Sequence, residues 1–471
     1  MCKIFKIRLS ALFLLTIVYL CTSAQNKTGV TAWITDPANN VLFQQQTKQL
    51  FFNNKIDNDK NPVITINEKQ TYQSIDGFGF ALTGGSAMHI FNMDADKRAA
   101  LLKELFDTTN SNIGTSYLRI SIGASDLDDR TFSYDDLPAG QTDTALTHFN
   151  LNPDKKYLIP ILKEILAINP NIKILASPWS PPTWMKTNDS TKGGSLKPEF
   201  YTAYANYFIK YLMAMKAEGI NINAITIQNE PLHPGNNPSM LMLAPQQAVF
   251  IKNNLGPAFA SAGIKTKIIL YDHNADRPDY PISILNDADA RKYVDGSAFH
   301  LYGGTIDALS QVHDTYPDKN LYFTEQWVGA PGHLSKDLAE HIQKLIIGAT
   351  RNWSRTVIEW NLAADPNNEP HTIGGCNRCL GAITIDKNDI KRNPAYYIIA
   401  HAAKFVRPGS VRIATNFIDT LPNVAFKTPA GKTVLIVFNN MAAQQNFNIA
   451  LNGKTFTASL NSNAVGTFVL N

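Results

Sequence analysis

Eight short runs of β-forming residues, spaced along most of the chain, constrain its fold more than any other feature. They fall at 77–80, 116–121, 172–177, 224–227, 267–271, 296–300, 320–324 and 356–360. Between them, 199–217 and 244–262 keep apolar residues at helical spacing, with Lys and Glu on the other side of the first. Strands that alternate with helices need crossover connections and build a parallel sheet. Eight such units close into a barrel. The expected class is therefore α/β, a (β/α)8 TIM barrel.

The two chain ends read differently. Residues 30–35 and 62–66 are β-branched and apolar, with Asn, Asp and Lys between them. After about residue 406 short strands return, at 433–438 and 466–470. The economical arrangement is one side β-sandwich formed by both chain ends. It divides the chain into a leader (1–24), a first part of the sandwich (25–75), the barrel (76–405) and a second part of the sandwich (406–471).

The leader is expected because Lys3, Lys6 and Arg8 precede an apolar run at 9–21, followed by small residues at 22–24. That layout is a secretory signal, and the run is short for a membrane span. Cleavage after Ala24 gives a periplasmic or extracellular protein with no stable membrane span. A lipid anchor at Cys21 is disfavoured because the bulky Leu20 precedes it. Of four cysteines, Cys376 and Cys379 would remain. Such a pair makes a loop disulfide, two thiols or half a zinc site; an oxidising compartment favours the disulfide. The net charge of +4 on 471 residues, with no Lys/Arg-rich block, argues against a nucleic-acid partner. Nothing in the sequence sets the oligomeric state.

Two glutamates carry the chemistry. Glu230, in Gln228-Asn229-Glu230-Pro231, and Glu325, in Phe323-Thr324-Glu325, each follow a strand-forming run. Pro231 lacks a donor and keeps its predecessor out of the helical region, so the strand stops there. A glutamate among strand formers is costly to bury unless it is paired or used. Two carboxylates at barrel-strand ends suit hydrolysis of a glycosidic bond, one as acid/base and one as nucleophile, with the carboxyls roughly 5–5.5 Å apart for retention. A negative nucleophile nearby would help keep the acid protonated. The chemistry needs no metal or organic cofactor.

Other residues suit a sugar site. Asn229 can bond a sugar hydroxyl, Asp126 can accept from several, and Arg119 can hold a carboxylate ionised. Trp179 and Trp184 stand in a proline-stiffened loop where aromatic faces could pack on sugar rings; one of them could instead be core. His300 and Tyr302 could orient the nucleophile, and Trp360-Asn361 reads as a further wall. Trp327 flanks Glu325. Asp272 and His273 read as structural or substrate-orienting, with no third metal ligand at a convincing spacing.

Together these motifs resemble glycoside hydrolase family 30, the family of lysosomal glucosylceramidase. The resemblance is carried by 77–83, the tryptophan loop 176–186, the segments 226–231 and 323–325, and the landmarks 360–363 and 401–410. It implies a retaining β-glycosidase with Glu230 as acid/base and Glu325 as nucleophile. Asp126, Trp179, Asn229 and Trp360 would contact sugar, and His300 and Tyr302 would support the nucleophile. The substrate would be a carbohydrate or glycolipid, with glucosylceramide-type glucosides and β-1,6-glucan leading. The family's β-xylosidases and xylanases are alternatives. Competing classes are a carbohydrate-binding barrel without turnover and a metal-dependent barrel hydrolase. Two departures stand out: Gly84-Gly85, where the family often has an acidic residue, and a short loop bearing Cys376 and Cys379.

Overall fold

The structure, a computed structural model, describes residues 29–53 and 60–470. The expected leader, its cleavage site, Cys2 and Cys21 lie outside the described residues. Among those described, no helix is long and apolar enough to cross a membrane.

Eight parallel strands close a barrel. In chain order they are β1 (Gly77–Ala81), β2 (Tyr117–Ile122), β3 (Lys173–Pro178), β4 (Ala224–Thr226), β5 (Lys267–Ala275), β6 (Val294–Gly304), β7 (Asn320–Glu325) and β8 (Ser354–Glu359). Each coincides with one of the eight runs read from the sequence. A plug of buried side chains fills the interior: Tyr117, Leu175, Ala224, Ile269, Ala298, Tyr322 and Ile358. At β1 the backbone itself comes close, and a Cβ on Gly79 would stand 1.8 Å from the carbonyl oxygen of Tyr117. The barrel is thus a packed core, and its strand ends are left to carry chemistry.

The first expected helix runs Tyr201–Ala217, after a tight turn at Pro198–Phe200. The second is not one helix. Ala244–Phe250 and Gly256–Ser261 flank a π-helical turn at Ile251–Leu255. Pro257 has no N–H to give the carbonyl one turn back, so the regular ladder cannot pass through it.

Both chain ends enter one ten-stranded side sheet. Gly29–Asp36 pairs antiparallel with Val465–Leu470, Val30 opposite Leu470. Val63–Ser74 lies between Val411–Thr415 and Gln445–Leu451. The sheet folds over its own core, which includes Val30, Ile64, Ile449, Phe456 and Phe468. It docks on the barrel through the buried helix Pro394–Ala403. There His401, fully buried, bonds Thr35 Oγ1 at 2.8 Å and Thr467 Oγ1 at 2.9 Å.

Candidate active site

Strand periodicity builds the floor of the site. Two residues beyond the apolar plug, the side chains face the barrel axis again at its C-terminal mouth. That rule turns Tyr117, Leu175, Ala224, Ala298, Tyr322 and Ile358 into Arg119, Ser177, Thr226, His300, Thr324 and Trp360. β5 adds Asp272 by a different route. Tyr271 and Asp272 have φ of 70° and 64°, and the pairing with β6 slips there. The bulge aims the Asp272 carboxylate inward. A second slip pairs His300 with Glu325 and brings that glutamate to the mouth as well. Glu230 stands just past β4 at φ 44°, a left-handed conformation that a non-glycine residue adopts at a cost. Its N–H donates to the carbonyl of Asp272 at 2.9 Å.

Arg119, fully buried, organises the floor. It donates to Glu325 Oε2 at 2.5 Å, Asn229 Oδ1 at 2.6 Å, Asp272 Oδ2 at 2.8 Å and Ser177 Oγ at 3.2 Å. Its guanidinium lies 4.8 Å from the ring centre of Trp179. Asp272 also accepts Thr226 and Thr324 hydroxyls at 2.7 Å and faces His300 Nε2 at 3.1 Å. Burial raises the Asp272 carboxyl, but the Arg119 charge and these donors outweigh it and hold it well below the carboxylate range.

The two glutamates meet above this floor. One oxygen of each, together with a His300 nitrogen, lies within 4.8 Å of the others. Tyr302 donates to Glu325 Oε1 at 2.9 Å. His300 departs from expectation. Its Nδ1 is 3.1 Å from Glu230 Oε1 and 3.6 Å from Glu325 Oε1, so its closer partner is the acid/base candidate rather than the nucleophile.

The electrostatics depart too. Burial raises the Glu230 carboxyl, yet His273 and His300 outweigh it and hold it well below the usual range. His273 Nδ1 is 3.7 Å from Glu230 Oε1, beyond hydrogen-bond reach, so His300 is the effective partner. Burial lowers His300, but the Glu325 charge and its bonds to Asp272 and Glu230 push it up to about 9. Both shifts run in the direction that favours the pair's proton on His300 in the resting site. The expectation that a nearby Glu325 charge helps keep Glu230 protonated leaves out this imidazole.

Trp179 and Trp360 form the wall, with ring centres 5.4 Å apart. Trp327, partly buried, packs on the same cluster, which includes Leu127 and Cys379. Asp126 is 5% exposed and accepts the Cys376 N–H at 3.2 Å. Burial and the Glu325 charge push its carboxyl up to about 6. The Cys376–Cys379 disulfide forms.

Two expected residues lie elsewhere. Trp184 belongs to the main core, packs edge-on to Phe200 at 5.0 Å and donates to the Asp135 carbonyl at 3.0 Å. A tight turn at Thr183–Met185 carries it away from Trp179. Asn361 accepts the Ser86 hydroxyl at 2.6 Å and the Thr83 hydroxyl at 3.0 Å, behind the wall. Gly84 has a steric reason, since a Cβ there would stand 1.7 Å from Asp128 Oδ1. The Asp128 carboxylate fills the space that a side chain at 84 would take.

Among the described residues, two side-chain groups bring three possible ligand atoms within 4.8 Å of one another: Glu230, His300 and Glu325, and separately Asp135, Asp143 and His148. In the first, His300 is engaged with Asp272 and Glu230, and Glu325 with Arg119 and Tyr302.

A barrel with two glutamates and two tryptophans at its C-terminal mouth is the architecture of a sugar-cleaving enzyme, and comparison with known proteins agrees. Residues 75–406 match the glycosyl hydrolase family 30 TIM-barrel domain, and 409–468 the glycosyl hydrolase family 30 beta sandwich domain. The chain belongs to glycoside hydrolase family 30 and is a β-glycosidase. It is 34% identical to endo-1,6-beta-D-glucanase neg1 of Aspergillus fumigatus, over 84% of this chain and 85% of that one. It is 30% identical to lysosomal acid glucosylceramidase of Mus musculus, over 80% and 77% of the two chains. A solved endo-beta1,6-glucanase superposes with a TM-score of 0.87 at 36% identity, covering 94% of this chain and 99% of that one.

Proposed function

We propose that this protein is an exported, retaining β-glucanase that cleaves β-1,6-linked glucan. The observation that carries the mechanism is the approach of Glu230 and Glu325 oxygens to within 4.8 Å, with Arg119 and Tyr302 on Glu325. In the first step a Glu325 oxygen bonds the anomeric carbon as the glycosidic C–O bond breaks. Glu230 delivers a proton to the departing oxygen. In the second, Glu230 takes a proton from water, whose oxygen displaces Glu325. The His300–Glu230 pair holds the first proton at rest, and it passes to Glu230 as substrate covers the site. Asp126, Trp179, Asn229 and Trp360 hold the glycone.

The linkage rests on likeness. Relatives named as endo-1,6-glucanases reach 34% and 36% identity, and the mouse glucosylceramidase 30%. That second relative keeps glucosylceramide as the other reading. Export rests on the basic, apolar and small-residue layout of 1–24.

The test is turnover by protein beginning at Gln25 on β-1,6-glucan, glucosylceramide, xylan and aryl β-glucoside, with products sized. Internal cleavage of β-1,6-glucan into oligosaccharides is expected. Glucosylceramide turnover without glucan cleavage would replace the substrate assignment, and xylan cleavage alone would overturn the glucosidase reading.

A further inference from the structure

We propose that the strap at 372–379, closed by the Cys376–Cys379 disulfide, is a positioning element that fixes Asp126 for the glycone through the Cys376 N–H. The proposal rests on the glycosidase reading above and goes beyond it.

The strap is built against Asp126. Besides the 3.2 Å bond from Cys376 N–H to Oδ2, the Thr372 N–H donates to the Asp126 carbonyl at 2.9 Å. Gly375 passes so close that a Cβ there would meet the Asp126 carbonyl oxygen at 2.5 Å and its Cβ at 3.1 Å. Any other residue at 375 would push strap and aspartate apart.

The strap is also anchored to the loops that follow both glutamates. Thr372 Oγ1 donates to the Asn237 carbonyl, and Asn237 Nδ2 donates to the Ile373 carbonyl at 2.9 Å. Cys379 pairs with Gly329, and the Ala330 N–H donates to the Arg378 carbonyl at 2.8 Å. The disulfide therefore joins the side of the turn that touches Asp126 to the side held by the loop after β7. Both sulfurs pack in the cluster of Trp179, Trp327 and Trp360. Asp126 is buried beside another carboxylate, so it needs a fixed donor to stay ionised and accept sugar hydroxyls. The Cys376 N–H is such a donor, beside the Asn236 side chain, and without the disulfide the turn holding it is free to relax.

The cysteines touch no reacting atom, so the effect belongs to glycone binding. The experiment uses the full mature chain in three forms: oxidised, reduced with a phosphine (thiols counted by mass), and Cys376→Ser/Cys379→Ser. Each is measured with and without Asp126→Asn. The readouts are KM and kcat on aryl β-glucoside, the Kd of deoxynojirimycin and the Tm.

Opening the disulfide should raise KM and Kd about tenfold, the order expected for one hydrogen bond to a charged group. The change in kcat should be smaller, and no further loss should appear in the Asp126→Asn background. Unchanged KM and Kd in a reduced or serine form would overturn the proposal, as would losses that multiply with Asp126→Asn. If the serine variant does not fold, reduced wild type gives the same reading. An oxidised wild type that turns over no β-glucoside would contradict the glycosidase reading itself. An active enzyme whose KM ignores the disulfide would contradict only the strap.

Discussion

His300 Nδ1 lies 3.1 Å from Glu230 Oε1, so the acid/base candidate is paired with a buried imidazole rather than facing the other carboxylate alone. The same ring reaches Asp272 through its other nitrogen at 3.1 Å. One histidine thus links the group that must give up a proton to the aspartate that holds Arg119.

That link gives a pH signature. His300 is pushed up to about 9 and Glu230 is held low, so the pair keeps one proton until the pH approaches the upper value. The alkaline limb of kcat/KM should report loss of that proton from the pair. His300→Asn removes the imidazole and should move this limb down by about one pH unit or more. A limb that stays in place would show that His300 takes no part in holding the proton.

The glutamates should separate by chemical rescue. Glu230→Ala should lose about 10²- to 10⁴-fold in kcat on a glucan but less on an aryl glucoside, whose leaving group needs little protonation. Added azide should restore turnover and give a β-glucosyl azide. Glu325→Ala with an activated aryl β-glucoside and azide should instead give the α-glucosyl azide, because azide takes the place of the missing nucleophile. Rescue of both variants with the same stereochemistry would undo the assignment of roles.

Asp272→Asn should damage the floor. It leaves Arg119 short of a buried partner at 2.8 Å. Breaking a buried pair from one side costs about 3–5 kcal/mol. Denaturant unfolding should show a loss of this order, with activity falling as Glu325 loses its alignment. A variant as stable as the wild type would mean that the Arg119 charge is balanced elsewhere.

His401 sets an acid limit on the contact between barrel and side sheet. Burial lowers it to about 3. The unfolded chain then binds more protons, so stability is present above about pH 6.5 and is lost as pH falls toward 3. The displacement corresponds to at most about 5 kcal/mol. Unfolding of His401→Gln should depend less on pH across that window, and an identical slope would assign acid sensitivity to other groups.

Much of this site was legible because a strand alternates with period two. Arg119 and His300, read as site residues at strand ends, stand two residues beyond Tyr117 and Ala298, which the structure puts in the plug. Asp272 was not legible as the hub. Its inward aim depends on φ of 70° and 64° at Tyr271 and Asp272, and neither residue is a glycine that would advertise it. Trp184 and Asn361 misled for the opposite reason. Each follows a site residue closely in sequence, but a tight turn at Thr183–Met185 carries Trp184 into the core, and Asn361 bonds Ser86 and Thr83 instead. Glu359 completes the contrast: a strand-end glutamate at the neighbouring parity faces outward and pairs with His341 at 2.7 Å.

The central claim is retention by Glu230 and Glu325. Proton NMR during early hydrolysis of β-1,6-glucan reads it directly, with Glu325→Gln as control. The account predicts that the β-anomer of the new reducing end appears first and that the variant releases none. Initial α-anomer, or β-anomer released equally by the variant, would contradict it.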